Sequence, residues 1–414
     1  MSAILNLPDI RPSFLLDFAN SGRADPRLQC IRSSSATCWG SNGLMRTVGA
    51  NVPRIDFDPL TKQCKGLLVE SPQTNHARNS KNFAGSGWTA TGTSVQSDVK
   101  MGPDGTLSAD KLVESNTFGT HVVAQSLSLP AGNVSFSILI EPAGRRYVRL
   151  GAYEGAVPSN PFSVRVDLET ATVVLTAGLT VEATAKKLSN GFVLCTATGV
   201  SAGNSVTYSV QLADNPTSPS TDYQGDGVSG VYLWGAQIES GSPSSLIETE
   251  AAAVVRATDA IQMPLGDWFN QNEGTFICSY IRLNDKAAGN QIPFMVSNGA
   301  GENILCISDG ANGVGDRALA IFNGSSAALG SIVNYTAGQI LTRAVRYKGR
   351  SVATCVNGGA ISSAVATADA LPFSVLTLGY APYFTASRLN GYVRYLAYYP
   401  IALTDSQTQR LTAV

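Results

Sequence analysis

Histidine is almost missing from this chain, with two in 414 residues, and His76 and His121 lie far apart without a carboxylate or cysteine beside them. That argues against a histidine-based triad and a zinc centre, which need an oriented base or convergent ligands. Charge is scarce too: Asp, Glu, Lys and Arg make up 14% of the chain, and 29 basic against 30 acidic side chains leave a net charge of −1. No basic surface is available to supply affinity for nucleic acid. No apolar run nears the roughly 18 residues of a spanning helix, so membrane insertion is not expected. The opening MSAILNLPDIRPSF lacks a charged region followed by an apolar one, and the expectation is a protein made and folded in the cytoplasm. Seven cysteines include no Cys-x-x-Cys pair, against a zinc ribbon or disulfide framework. A Gly-x-Ser-x-Gly elbow, a P-loop and long heptads are absent as well. Neither a cofactor nor a metal is expected.

What is present is glycine, serine, threonine, valine and alanine in many short runs, the composition of strands joined by turns. The pattern predicts an all-β chain: a short irregular N-terminal module over 1–82, a jelly roll over 83–248, a connector over 249–266 and a second sandwich over 267–414. Alternation predicts strands at 134–140, 147–150, 162–166, 172–175, 191–196, 205–211 and 231–238, evenly spaced as in a β-sandwich. It restarts at 274–281, 293–296, 303–307, 318–322, 342–347, 351–358, 376–379 and 390–399. Thr404 or Asp405 is placed to cap a short helix from 407 to 411.

The polar run RIDFDPLTKQCKGLLVESPQTNHARNS, residues 54–80, is too ordered for a linker and too poor in nucleophiles for an active site. Phe57, Leu67 and Val69 alternate with polar neighbours as in half-buried strands. Arg54, Asp56 and Glu70 are therefore expected as surface or interface ion pairs. The run resembles a segment near the N-termini of tailed-bacteriophage fibre and spike proteins, carried here by RIDFD (54–58), GLLVE (66–70), TN (74–75) and NS (79–80). The resemblance implies a virion component, with Arg54, Asp56, Asp58, Glu70 and Asn75 serving attachment or assembly. YLWGAQIESG (232–241) resembles the last strand of carbohydrate-binding-module-like jelly rolls. AVRY (344–347), VNG (356–358) and GYV (391–393) resemble the concanavalin-A-like, laminin-G-like sandwich.

Sugar recognition uses an aromatic ring against a pyranose face, and the candidates are Trp88, Tyr153, Tyr223, Tyr380, Tyr383 and Phe384. The last three form the preferred patch, the loop around Pro382, which either meets a sugar or packs on a neighbouring surface. Trp234 reads as core. The loop Asp309–Asp316 offers oxygen ligands for calcium but lacks an EF-hand pattern, and its glycines read as a hairpin rather than a dinucleotide cradle. Arg145, Arg146 and Arg149, and Arg343 and Arg346, read as solvated strand edges. Cys30, Cys38 and Cys64 crowd the N-terminal module and leave a disulfide open.

The resemblances imply a homotrimeric, non-enzymatic virion fibre or spike, assembled in the host cytoplasm. Its N-terminal module would meet a tail, collar or capsid protein, and its sandwiches would bind host surface polysaccharide by avidity. A capsid or collar decoration fibre with a structural role is the alternative. A polysaccharide depolymerase is the third reading, with Asp222, Asp226, Glu239 and Glu302 scattered rather than visibly paired.

Overall fold

The computed structural model describes residues 10–154, 160–218, 220–284, 290–310, 317–330, 336–384 and 387–413. Two β-sandwiches account for nearly all of them, and the chain visits the first sandwich twice. One of its sheets has eight strands. Seven run in the order Ser362–Val365, Ser351–Val356, Ile340–Lys348, Glu273–Arg282, Gly391–Tyr399, Cys64–Val69 and Arg54–Phe57. Phe14–Asp17 also pairs with Gly391–Tyr399. The facing seven-stranded sheet places Gln29–Ile31 beside Ala260–Pro264 at one end. Between the sheets, Phe14, Leu16, Ile55, Leu67 and Val69 pack with Phe276, Phe294, Leu376 and Tyr398 in one core.

The segment 1–82 is therefore not a separate module in its described part. Its strands complete both sheets of the C-terminal sandwich, whose inner faces would lose Leu67 and Val69 without them. The reason is topological: antiparallel partners need only meet in space, and nothing in a four-residue strand shows how distant its partner is.

The second sandwich is inserted between Asn75 and Val254. Gln73–Asn75 and Val254–Arg256 pair antiparallel, Val254 opposite Asn75, and form the neck through which the chain leaves and returns. One six-stranded sheet centres on Gly132–Ala143 and Gly230–Ser240 and the other on Tyr147–Tyr153 and Ser205–Ala213. Val134, Phe136, Ile138, Leu150, Val164, Val210 and Leu233 fill the space between. Outward positions of the first sheet, Leu139 and Trp234, pack with Leu246 on Met45 and Trp39 of the two-stranded hairpin Ala36–Trp39 and Met45–Val48. Trp234 is core, as read, in the seam between sandwiches.

Most predicted strands are found, and the helix Asp405–Thr412 starts at Thr404, whose side chain and Gln407 form a reciprocal capping box. Both arginine-rich stretches differ from expectation. Tyr147–Tyr153 and Ile340–Lys348 each have a neighbour on both sides, so neither is an edge. All seven cysteines are unbonded, and burial raises the Cys30 thiol to about 11. The open disulfide among Cys30, Cys38 and Cys64 is not formed.

Candidate functional site

The residues of the N-terminal motif come together at the neck, inside the protein. Arg54 is fully buried, with its Nη1 2.8 Å from Glu70 and its Nη2 bonded to Asp259. Arg32 reaches Asp259 at 2.7 Å, and Arg256 approaches Glu70 at 3.4 Å. Ser245, from the returning chain, donates its amide and hydroxyl to Glu70 at 2.9 and 2.6 Å. Burial opposes the charge on Glu70, but Arg256 and Arg54 outweigh it and hold the carboxyl down at about 2. Asp56 accepts from Tyr392 Oη at 2.7 Å and from the Trp39 amide.

Asn75 spends its whole side chain on the inserted sandwich. Its Nδ2 donates to the carbonyls of Ala236 and Ile247, while its Oδ1 accepts from the amides of Ala77 and Ile238. Of the expected surface or interface positions, the surface one does not hold: the charges form a buried clamp where the two sandwiches meet, because the neck brings charges from four chain segments together and gives them one another as solvent. Asp58 alone of this set stays near the surface, turning the chain by accepting from the amides of Leu60 and Thr61.

Of the aromatic candidates, Tyr380, Tyr223 and Trp88 are buried. Tyr380 is 7% exposed and donates to Gln262 at 2.7 Å. Tyr383 and Phe384 cover Met295, Ile304 and Cys306 on the outside of the seven-stranded sheet. They pack on their own sandwich and keep part of each ring exposed. Tyr223 donates to Glu114 at 2.6 Å under the Arg145 guanidinium, and Trp88 packs on Phe83. Of the calcium loop, residues 311–316 lie outside the described residues. Asp309 is buried against Arg343 at 2.8 Å and accepts from Tyr280. Among the described residues no cluster of three or more His, Cys, Asp or Glu could hold a metal.

Tyr153 lies under the guanidinium of Arg149, which together with Ser163, Arg165, Leu175, Ala177 and Ser218 lines an open pocket of about 150 Å³. The pocket lies on the outer face of the sheet that holds Tyr147–Tyr153 and Phe162–Asp167. Alternation puts it there: Val148, Leu150, Phe162, Val164 and Val166 point into the core, so Arg149, Ser163 and Arg165 point out. Register sets Arg149 directly opposite Arg165. Arg149 donates from Nε to Ser163 Oγ at 2.7 Å, and its guanidinium lies 5.3 Å from the Tyr153 ring centre. Gly151 makes room for that ring, where any Cβ would collide with it.

Arg165 is 2% exposed, its Nη1 donates to the Asn215 carbonyl, and its Nε has no partner. Burial, and next the charge of Arg149, lowers its pKa. Arg165, Ser163 and Ser218 were not legible as a site in sequence, because the register that pairs two strands across a loop leaves no local mark. The available signal was the alternation of FSVRVD, which aligns Ser163 with Arg165.

No protein-family model and no curated protein matches the chain. Among solved structures it is similar to the CBM40 of the Ruminococcus gnavus IT-sialidase, with 17% identity over 35% of this chain and 84% of that one, at a TM-score of 0.30. It is also similar to the LG1-3 region of the laminin α2 chain, with 7% identity over 70% of this chain and 67% of that one, at a TM-score of 0.25. Mouse laminin α1 domains LG4-5 align with 10% identity over 69% of this chain and 87% of that one, at a TM-score of 0.22.

Proposed function

We propose that this protein is a non-enzymatic fibre or spike of a tailed-bacteriophage virion that binds host-surface glycans through the inserted sandwich. The observation that carries the glycan reading is the pocket at Arg149, Ser163, Arg165 and Ser218. It combines guanidinium and hydroxyl groups with an apolar wall, on the outer face of its sheet. Such a mixture of a few placed polar groups and apolar lining is what small-ligand sites use. The virion reading rests on the ordered resemblance of residues 54–80. Since Arg54, Asp56, Glu70 and Asn75 are buried, they act by fixing the two sandwiches to each other, and attachment to a tail, collar or capsid protein falls to other surfaces.

Several weak sites on a homotrimer would give firm adsorption by avidity. The full chain is expected to sediment as a trimer, to bind glycans on an array and to compete with whole phage for adsorption. A folded chain that binds no glycan and does not compete would overturn adsorption in favour of a structural decoration role.

A further inference from the structure

The two pocket arginines, side by side on adjacent strands, make no ion pair among the described residues, whereas three other cations of the inserted sandwich do. Arg145 is held by Glu114, Arg146 by Asp167 at 2.7 Å and Lys100 by Glu141 at 3.0 Å. Among the described residues, no carboxylate comes within ion-pair distance of Arg149 or Arg165. Asp214 acts on Arg165 only through space. Two guanidinium groups on adjacent strands repel each other. Burying one of them with an unpartnered Nε costs stability unless something else supplies the negative charge.

We infer that this pocket takes the carboxylate of an acidic monosaccharide unit, received between Arg149 and Arg165. The inference rests on the glycan-binding reading and narrows it to uronic- or sialic-acid-type sugars. Guanidinium groups pair with carboxylates through parallel charge-assisted hydrogen bonds, a geometry a neutral sugar cannot reproduce. Ser163 and Ser218 offer hydroxyls to the rest of the ring, and Leu175 and Ala177 offer an apolar wall. At about 150 Å³ the cavity suits one sugar unit and is too small for an oligosaccharide to enter whole.

The test is calorimetric titration of the full chain with the methyl glycosides of galacturonic acid, N-acetylneuraminic acid and galactose, and with sodium phosphate as a bare anion. At least one acidic glycoside should bind tenfold or more tightly than the galactoside, and more weakly as salt is raised. Arg149→Gln should reduce that affinity to the galactoside level. Ala177→Trp, at an exposed position of the pocket wall, should block binding while the far-ultraviolet spectrum and melting temperature stay unchanged. It keeps the test decisive if Arg149→Gln fails to fold. Equal affinity for acidic and neutral glycosides would overturn the acidic specificity and leave the glycan reading standing. Phosphate binding as tightly as the acidic glycosides would reduce the pocket to an anion site and overturn the inference. Binding of none of these, with a positive glycan array, would move the sugar site elsewhere; a blank array as well would overturn both readings.

Discussion

Arg54 bridges the two carboxylates of the clamp, pairing with both Glu70 and Asp259 at hydrogen-bond distance. Removing one member of a buried ion pair leaves an uncompensated charge, so Arg54→Met is expected to cost about 3–5 kcal/mol in urea unfolding. Arg27→Ala, which breaks an ion pair at the surface, should cost under about 1 kcal/mol. Similar small losses in both would refute the clamp.

Glu239 makes the same region sensitive to pH. It is fully buried beside the clamp, accepting from Gln237 and from the Ser244 amide, and burial raises its pKa from 4.5 to about 7 despite those donors. Below pH 4.5 the proton is present in both states. Between 4.5 and 7 the unfolded chain loses it first, so stability falls as pH rises through that window. Glu70 works in the opposite sense: its contribution is complete above 4.5 and is lost as pH falls toward 2. Glu239→Gln should therefore melt at nearly the same temperature at pH 5 and pH 8, where the native protein melts lower at pH 8. An equal drop in both would show that Glu239 is not the titrating group. None of this was legible in the sequence, where Glu239 is one acid in a strand and its enclosure depends on Ser244 and Gln237 folding over it.

At the scale of elements, alternation was a reliable guide and pairing was not. The strands at 134–140 and 205–211 and the Thr404 cap were readable because their signals are local: side chains alternate every second residue, and a cap needs only three neighbours. The partner of GLLVE was not readable. Gly66 sits there at a φ of +125°, with Val393 of the neighbouring strand so close that a Cβ would collide with its carbonyl oxygen. Both backbone strain and close approach demand glycine. Gly66→Ala should thus lower the melting temperature well beyond the change given by Gly349→Ala. Gly349 also has positive φ, but a Cβ there meets nothing within 4 Å. Equal shifts would mean that backbone conformation alone, without the strand contact, accounts for the cost.

The whole molecule follows from the neck. Among the described residues the core of the base sandwich includes none between 70 and 260, and the inserted sandwich has a core of its own; a ladder, a seam and a clamp join the two. A chain begun at residue 83 lacks four strands that complete the base sandwich's two sheets, Phe14–Asp17, Gln29–Ile31, Arg54–Phe57 and Cys64–Val69. It should be insoluble or expose apolar surface to a hydrophobic dye. The reverse deletion should be tolerated. Asn75 and Val254 are opposite one another across an antiparallel ladder, the geometry that a two-residue Asn-Gly turn closes. Replacing residues 76–253 by Asn-Gly keeps every apolar side chain of the base core and keeps Arg54 and Arg256 on Glu70, while removing Ser245 and uncovering Met45 and Trp39. The shortened protein is expected to melt cooperatively, a few degrees below the native base sandwich, and to have lost glycan binding. Failure of that minimal chain to fold would show that the inserted sandwich supplies stability through the seam, and that the base is not an independent domain.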